Sequence, residues 1–557
     1  MKSLIFNLFL ILLAVSSAGQ IAPDKYFVQF TDKNNSPYSI DNPSEFLSER
    51  AIERRASQGI SVDIYDLPVN PSYLSGVAGT GATLLNPTKW LNGVTVFTDN
   101  PAVLEAIDAL PYVAGITGYP QEKSQPGRIQ YDKEKPFFYH EMYNQAPGNS
   151  YKSKAQTGSF DYGMGFNQIQ MLNGDVFHEM GYRGQGKVIA VLDAGYFNAN
   201  SVDAFDSLWM NGQILGTKDF VRGGDIQFDE HQHGTMVLSC MGANFPGQLI
   251  GTAPMADYWL LRSEDGGSEY LIEEYNWVSA AEFADSVGAD IINSSLGYSQ
   301  FNDPTQDHTY EDMDGNTTPA TKGADMAAKK GILVVNSLGN EGNSSWYYLS
   351  APSDGDSVMG IGAVDANGFY VGFSSHGPSY DGRVKPDVAT QGSMVYVVEP
   401  MGGGFTFGGG TSFSSPILAG MAACLWQANP AMTNMQIADA IRKSASQYDN
   451  PDDMLGYGIP DFVLANNILT VINGPDKQHV SLNLYPNPVR TSFTVSLDQV
   501  NANNADIIIT DITGREIYTA SLMGNEYTVN AKGLEAGVYF VSVSANGRTF
   551  TGKFIKR

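Results

Sequence analysis

The sequence predicts an α/β protein with a parallel sheet flanked by helices on both faces, preceded by a small α+β module and followed by a small all-β sandwich. Three observations support this fold class. Between residues 161 and 472, unbroken apolar runs alternate with helical stretches. The residues before this region mix short strands with helices. The residues after it contain only short strands separated by turns. Parallel sheets bind ligands at the carboxyl ends of their strands, so a functional site is expected at that edge.

The composition indicates a globular protein of several domains. A length of 557 residues is typical of about three or four folded units. The composition, 42% hydrophobic and 17% charged, is that of a globular protein and unlike that of a disordered chain. The net charge of −26 argues against a nucleic-acid partner, which requires clustered positive charge. Two cysteines, Cys240 and Cys424, are too few for a disulfide framework, and the sequence leaves open whether they pair.

Residues 1–19 are predicted to be a secretory signal peptide. Lys2 precedes an apolar run at 4–15, and three small residues follow that run. An N-terminal membrane anchor is the alternative, but the run is short for a bilayer span. No other stretch of the sequence is long and apolar enough to cross a bilayer, so the mature protein is expected to have no integral membrane span.

Residues 20–120 are predicted to form the α+β module. Strands are expected at 26–30 and 91–97, and helices at 44–57 and 101–110. The charged run at 49–55 fits a solvated helix face with i,i+4 pairs better than a docking surface. Residues 121–160 are rich in Pro, Gly, Ser, Lys and Gln, which indicates an exposed linker with a processing site.

Hydrophobic periodicity predicts the elements of the other two domains. For the domain at 161–472, buried strands are expected at 188–192, 257–261, 291–292, 332–335 and 358–364, and helices at 269–287, 321–330, 416–428 and 434–444. For the sandwich at 476–557, strands are expected at 481–485, 492–497, 506–510, 538–543 and 549–554. The sequence shows no tandem repeat or heptad run.

A glycine-rich turn at 408–416 presents Ser412 at the start of an apolar helix. A serine hydroxyl alone is a weak nucleophile. A catalytic role therefore requires a general base, a carboxylate that orients this base, and donors for an oxyanion elsewhere in the sequence. Without them, the same serine would serve as an ordinary helix cap.

Three residues could complete such a site. Asp193 ends a predicted strand, where it could instead cap the following turn. His233 is the candidate base, because an imidazole titrates near neutrality. A second histidine and two acidic residues nearby suggest a metal site as the alternative, but no HExxH pattern or cysteine cluster accompanies them. Asn340 follows another predicted strand, where it either donates to an oxyanion or forms a turn.

The order of these residues favours the catalytic interpretation. Asp193, His233 and Ser412 occur in the order Asp, His, Ser, with Asn340 before the serine. Subtilisin has this order, whereas α/β-hydrolases have Ser, Asp, His and a GxSxG turn at the nucleophile. The nearest approach to that turn, at 372–376, lacks the final glycine. The glycines at 402–410 are not followed by the Gly-Lys-Ser/Thr of a phosphate-binding loop.

Residues 190–195, 233–235 and 410–416 resemble the three signature segments of the subtilisin-like serine peptidases, the subtilases of the S8 family. The resemblance covers about residues 161–470 and implies a subtilisin-like fold. It further implies that Ser412 attacks the peptide carbonyl, that His233 acts as general base and then acid, and that Asp193 orients the imidazole. Asn340 and the backbone N–H of Ser412 would hold the oxyanion.

The resemblance extends to the segment that binds substrate. Residues 293–297 resemble the edge segment that pairs with substrate backbone in this family, which makes Ser295, Leu296 and Gly297 candidate substrate-binding residues. Two departures from the family pattern are minor. Ala194 stands where Ser or Thr is usual, and Gln232 stands where Gly is common, so neither removes a reacting group.

The flanking modules resemble those of secreted subtilases of Bacteroidetes bacteria. The module at 20–120 resembles, more loosely, the inhibitory propeptide, and residues 476–557 resemble the sorting domain that the type IX secretion system reads. The resemblance therefore implies three kinds of partner: protein or peptide substrates, the protein's own propeptide and the type IX secretion machinery. It also implies export across the inner and outer membranes, followed by release or attachment to the cell surface.

Together these features predict a secreted serine endopeptidase that is made as a precursor and works through an Asp-His-Ser triad and an acyl-enzyme. The alternative is a catalytically silent surface binding or adhesion protein on the same scaffold. No cofactor is expected to be required. Residues 312–316 have some character of a calcium loop but lack its distal glutamate, so a solvated acidic turn is favoured and a calcium site elsewhere stays open.

Overall fold

The computed structural model describes residues 20–117, 158–472, 482–497, 505–511, 515–522, 526–545 and 548–557. The signal peptide predicted at 1–19 and nearly all of the linker predicted at 121–160 lie outside these residues. The chain forms two compact units that divide after Thr470. Among the described residues, none of the helices has both the length and the hydropathy that a membrane span requires.

The first unit begins with the predicted α+β module. Its elements are β1 (Lys25–Phe30), α1 (Glu49–Ser57), α2 (Pro71–Gly79), β2 (Thr83–Thr88), β3 (Gly93–Phe97), α3 (Pro101–Asp108) and β4 (Val113–Thr117). The strands form an antiparallel sheet in the order β2-β3-β1-β4. Asn70 and Asn100 cap α2 and α3, each of which starts with a proline. Both predicted strands and the helix at 101–110 are confirmed, whereas α2, β2 and β4 were not predicted.

Helix α1 differs from its prediction in its start and in its surroundings. It begins at Glu49 because the side chain of Ser48 accepts the Ala51 N–H, whereas the prediction started at 44. Arg54 and Arg55 are 5% and 1% exposed, so the prediction of a solvated face is wrong. Their guanidinium groups are buried because they pair with a carboxylate of the following domain, Asp285, which replaces the lost water.

The rest of the first unit contains a seven-stranded parallel sheet. Its strands are β5 (Val188–Asp193), β6 (Ile214–Asp219), β9 (Asp257–Arg262), β10 (Ile291–Ser294), β11 (Leu333–Ser337), β12 (Val358–Val364) and β13 (Val388–Gln391), in the order β13-β12-β11-β10-β5-β9-β6. Two antiparallel pairs lie outside it, namely β7 (Asn244–Phe245) with β8 (Leu249–Ile250) and β14 (Val395–Glu399) with β15 (Gly404–Gly408). All five predicted strands are confirmed. β6 and β13 were not predicted because one is partly exposed and the other has only four residues.

Side chains of β5 alternate between two apolar cores, one on each face of the sheet. Ile189 and Val191 belong to the core that includes residues of α7 and α10, whereas Val188, Ala190 and Leu192 belong to the core that includes residues of α8 and α9. The helices of this domain are α4 (Phe166–Gln170), α5 (Gly174–Glu179), α6 (Asp206–Met210), α7 (His233–Gly242), α8 (Ile272–Val287), α9 (Pro319–Lys329), α10 (Thr411–Ala428), α11 (Asn434–Lys443) and α12 (Phe462–Ile472). The predicted sheet with helices on both faces is confirmed.

The second unit consists of strands. They are β16 (Leu482–Tyr485), β17 (Ser492–Leu497), β18 (Ala505–Asp511), β19 (Glu516–Leu522), β20 (Glu526–Asn530), β21 (Gly537–Ala545) and β22 (Arg548–Lys556). They form two sheets, β16-β17-β20 and β19-β18-β21-β22, whose apolar residues share one core. The predicted all-β character is confirmed, and five of these strands overlap predicted ones.

Candidate active site

The predicted site residues come together at the carboxyl edge of the parallel sheet. Asp193 is the last residue of β5, Ser295 directly follows β10, and Asn340 follows β11. His233 and Ser412 lie in the first turns of α7 and α10, two helices that pack into the same core. Because β11, β10 and β5 are neighbours in the sheet, residues far apart in the chain meet at this edge.

A buried hydrogen bond joins Asp193 to His233. Oδ1 of Asp193 lies 2.7 Å from Nδ1 of His233, and the same oxygen accepts the Ala194 N–H at 2.8 Å. The two side chains are 0% and 1% exposed. A carboxylate on Nδ1 holds the proton on that nitrogen, so Nε2 is the basic atom of the imidazole. The pair therefore has the arrangement of a general base and the group that orients it.

Gly234 lets α7 begin this close to the end of β5. Its N–H donates to the carbonyl of Gly195 at 2.9 Å. A Cβ at position 234 would lie 2.5 Å from that carbonyl oxygen and 3.0 Å from Cβ of Asp193. Any side chain here would push the helix, and with it His233, away from the carboxylate. The glycine therefore sets the distance between acid and imidazole.

Ser412 lies in the first turn of α10 and is 4% exposed. The helix starts at Thr411, five residues earlier than predicted, after Gly410 with its φ of 148°, a value that favours glycine. Pro416 has no N–H to donate to the carbonyl of Ser412, and the hydroxyl of Ser295 donates to it instead at 2.8 Å.

The hydroxyl of Ser412 lies beside the edge segment, and the residue after it lies near the imidazole. Its Oγ is 3.4 Å from the carbonyl oxygen of Ser295. The next residue, Phe413, has its ring centre 6.1 Å from that of His233. The nucleophile predicted from the sequence therefore shares this corner of the sheet edge with the predicted base.

Thr411 orients the side chain of Asn340. Oδ1 of Asn340 accepts the backbone N–H of Thr411 at 2.8 Å and lies 3.0 Å from its hydroxyl. These contacts hold the amide with its oxygen toward α10, which leaves Nδ2 as the donor end. The Ser412 N–H belongs to the first turn of the helix and has no acceptor within it. Sequence reasoning did not assign this role to Thr411, although the residue is part of the quoted signature.

The edge segment after β10 has two buried residues and one exposed. Ser295 and Leu296 are 4% and 5% exposed, whereas Gly297 is exposed. The side-chain amide of Asn336 donates to the carbonyl of Leu296 at 3.0 Å, which fixes the backbone of the segment. A glycine backbone at the surface offers its polar groups to an extended chain.

The two cysteines are free thiols. Cys240 and Cys424 are fully buried in α7 and α10 and form no disulfide. Burial raises the pKa of both thiols well above the usual value, so neither is a nucleophile at neutral pH.

Sequence reasoning missed a second set of polar contacts, between the N-terminal module and α8. The carboxylate of Glu282 accepts the backbone N–H groups of Lys89 at 2.7 Å and Trp90 at 2.9 Å. Burial raises the pKa of this carboxyl to about 7, although the neighbouring Lys89 ammonium acts in the opposite direction. The same ammonium lies 3.0 Å from Asp285. No local pattern signalled these contacts because each joins two distant parts of the chain.

Characterised proteins similar to this chain include subtilisins and a serine protease. The chain is 29% identical over 286 residues to subtilisin E of Bacillus subtilis, covering 51% of this chain and 66% of that protein. It is 29% identical over 296 residues to subtilisin DY of Bacillus licheniformis, covering 52% of this chain and 93% of that protein. The serine protease AprX of Bacillus subtilis is 27% identical to this chain over 297 residues, covering 48% of this chain and 63% of that protein. The chain thus spans just under two thirds of subtilisin E and AprX.

A solved structure also resembles this chain. The crystal structure of MycP1 from the ESX-1 type VII secretion system matches with 21% identity and a TM-score of 0.43, covering 56% of this chain and 87% of that one.

Three family models match consecutive parts of the chain. Residues 25–134 match the peptidase S8 propeptide domain of Bacteroidota, residues 184–458 match the subtilase family, and residues 483–557 match the secretion system C-terminal sorting domain. The sorting domain indicates export, followed by release or attachment to the cell surface. The chain therefore carries a peptidase domain of the subtilase family, with an S8 propeptide domain before it and a type IX sorting domain after it.

Proposed function

We propose that this protein is a secreted serine endopeptidase that is made as an inactive precursor. The observation that carries the proposal is the buried hydrogen bond between Asp193 and His233, at the sheet edge that also holds Ser412, within the part of the chain that matches the subtilase family. Two of the characterised relatives described above are named subtilisins and the third is named a serine protease, which supports the same class of reaction. The sorting domain supports action outside the cell.

The reaction proceeds in two halves. Ser412 Oγ attacks the peptide carbonyl while Nε2 of His233 takes its proton, and Asp193 stabilises the resulting imidazolium. The imidazolium then protonates the leaving amine, which departs and leaves an acyl-enzyme. In the second half a water molecule gives its proton to His233 and attacks the ester, and Ser412 recovers its proton when the acid leaves.

The donors at this edge stabilise the negative oxygen of each tetrahedral intermediate. The Nδ2 group of Asn340, held by Thr411, and the N–H of Ser412 both donate to this oxygen. Ser295, Leu296 and Gly297 pair with the substrate backbone and align its carbonyl with Ser412. These steps use no cofactor, in line with the expectation that none is required.

The contacts of the N-terminal domain support the precursor form. Its Arg54, Arg55 and Lys89 bury their charges against Asp285 of the peptidase domain. Cleavage within residues 121–160 would separate the two domains in sequence and allow them to dissociate. N-terminal sequencing of the exported protein tests this step: a mature start inside that range is expected, and a start before residue 26 would contradict it.

Covalent labelling of the exported, processed protein tests the enzymatic proposal. A serine-directed fluorophosphonate is expected to label the wild type and not the Ser412→Ala variant. Ser201→Ala is a matched control, since this serine is exposed and lies outside the site. Absence of labelling in correctly processed protein would favour the alternative of a catalytically silent surface binding protein.

A further inference from the structure

The edge segment of the candidate active site continues into a loop that folds back onto it. This loop, residues 299–309, is called the tether loop. The carbonyl of its first residue, Ser299, accepts the backbone N–H of His308 at 2.8 Å, which closes the loop. Phe301 is buried, and its ring meets the His308 ring edge-on at 5.4 Å between the ring centres. His308 therefore contacts the beginning of the loop through both its backbone and its ring.

The side chain of His308 pairs with a buried carboxylate of α8. Its Nε2 lies 2.5 Å from Oε1 of Glu274, a residue in the first turn of this helix, and the two side chains are 12% and 0% exposed. The other oxygen of Glu274 accepts the N–H of Ala320, in the first turn of α9, at 3.0 Å. A helix N-terminus stabilises negative charge, so α9 holds this carboxylate in place independently of His308.

The tether loop is one of the supports of the edge segment. Gly297 is the exposed residue of that segment. On one side of it, the carbonyl of Leu296 is held by a side chain of β11. On the other side, Tyr298 forms a backbone bridge with Ala351, and the next residue, Ser299, is held by the tether loop. The placement of Gly297 for a substrate backbone therefore depends in part on how firmly the tether loop is fixed.

The charges around His308 favour its protonated form. Besides Glu274 on α8, the carboxylates that act on it are those of Asp312, just after the loop, and Asp354, just before β12. Within the loop, Asp307 accepts a backbone N–H at 2.6 Å. Burial alone would lower the pKa of His308, but the charge and hydrogen bond of Glu274, with smaller effects of Asp312 and Asp354, raise the pKa above its ordinary value of 6.5.

In the precursor the tether loop also contacts the N-terminal domain. The side-chain amide of Gln306 donates to the carbonyl of Gln20, and its oxygen accepts the N–H of Leu271 at 2.9 Å. The contact with Gln20 is lost when the N-terminal domain dissociates, whereas His308 and Glu274 both belong to the peptidase domain. The ion pair is therefore a support of the loop that the processed enzyme keeps.

We propose that His308 is a positioning residue of the peptidase: its ion pair with Glu274 fixes the tether loop and, through it, the edge segment, and loss of its proton weakens substrate binding. This proposal rests on the endopeptidase function proposed above. The protonated pair is a charge-assisted hydrogen bond, about twice as strong as the neutral one that remains when the imidazole is uncharged. Substrate binding should therefore be tightest below pH 6.5 and should weaken as pH rises through the raised pKa of His308.

Steady-state kinetics of the mature protein as a function of pH test the proposal. The substrate is a peptide with blocked ends and no ionisable side chain, so that only the enzyme titrates. The wild-type KM should rise by up to about tenfold between about pH 6 and pH 9, which is the difference between a charged and a neutral hydrogen bond. His308→Gln keeps a neutral donor for Glu274, so its KM should equal the alkaline wild-type value at every pH, while its kcat stays within about twofold of the wild type.

A second variant keeps the test decisive even where His308→Gln fails to fold. Asp312→Asn removes one of the charges that raise the pKa of His308, yet it keeps an oxygen for the N–H of Thr309, which Asp312 accepts at 2.7 Å. The midpoint of the rise in KM should therefore move to lower pH, an effect that a merely structural role of the loop would not produce. Glu311→Gln is the matched control, since it removes the neighbouring, exposed carboxylate and should leave KM and its midpoint unchanged.

Two results would overturn the proposal. The first is a wild-type KM that does not change with pH. The second is a rise in KM that keeps its size in His308→Gln or its midpoint in Asp312→Asn. In either case, labelling of the same preparation by fluorophosphonate would show that the endopeptidase function stands while this inference fails. Absence of both labelling and peptide hydrolysis would instead refute the proposed function.

Discussion

Arg54 of the propeptide domain and Asp285 of the peptidase domain form a buried ion pair with an N–O distance of 2.6 Å. Their side chains are 3% and 0% exposed. Arg55 and Lys89 contact the same carboxylate, at 2.7 Å and 3.0 Å. Surrounding positive charge lowers the pKa of Asp285 far below its usual value despite complete burial. One aspartate thus pairs with three cations of the propeptide domain, of which Arg55 also pairs with Asp66 at 2.8 Å.

Substitution of this aspartate should destabilise the precursor. Asp285→Asn leaves Arg54, Arg55 and Lys89 without their shared charge, and breaking a buried pair costs about 3–5 kcal/mol. Urea unfolding of the precursor in a Ser412→Ala background, which prevents self-cleavage, measures the change. Asp439→Asn breaks an exposed pair with Lys443 and is expected to cost less than about 1 kcal/mol. Equal effects of the two variants would contradict the structural role of Asp285.

The contribution of Glu282 to the stability of the same precursor should fall as pH rises from about 5 to 7. The pKa of Glu282 is raised to about 7 in the folded protein, above its ordinary value of 4.5. Between these values the folded state binds more protons than the unfolded state, so the free energy of unfolding decreases with pH by up to about 1.4 kcal/mol per unit. This contribution is complete below pH 4.5 and is lost above about pH 7.

The variant Glu282→Gln isolates this group from other titrating residues. Its free energy of unfolding should depend less steeply on pH within that window, and the difference from the parent precursor should level off above about pH 7. Parallel pH profiles of the two proteins would show that Glu282 does not titrate there.

Asp193→Asn should lower kcat by about 10⁴-fold while leaving the fold intact, because an amide at this position favours the wrong tautomer of His233. The asparagine oxygen can still accept the N–H of Ala194, which preserves the turn. Steady-state hydrolysis of a peptide substrate measures the effect, with circular dichroism as the check on folding. A loss below tenfold in a folded variant would exclude Asp193 as the orienting group.

Asn340→Leu should lower kcat by about 10²–10³-fold with little change in KM, the range that loss of an oxyanion amide donor costs in a subtilisin. Thr411→Val should cost less, about tenfold, because the backbone N–H of Thr411 still binds Oδ1 of Asn340 when the hydroxyl is gone. Full kinetic curves for both variants separate kcat from KM. A change confined to KM would indicate that Asn340 binds the ground state.

Local patterns in the sequence predicted much of the fold and the site. The apolar run of β5 predicted a strand buried on both faces, and the signature around Ser412 predicted a nucleophile at a helix start. Short or partly exposed elements, such as β6 and β13, carry too few apolar residues for this kind of prediction. The start of α10 was predicted at Pro416, because a proline is common in the first turn of a helix. The helix instead begins at Thr411, since the hydroxyl of Ser295 donates to the carbonyl of Ser412, which the proline cannot do.

The sequence by itself determined the parallel sheet and was enough to predict a three-domain plan and the candidate residues Asp193, His233, Asn340 and Ser412, because periodicity and motifs are properties of neighbouring residues. Only the tertiary structure decided that Arg54 is buried, since Asp285, the partner that compensates its charge, lies 231 positions away. It likewise decided which group orients Asn340. A charge or an amide acquires its role from whatever lies against it, and those neighbours come from distant parts of the chain.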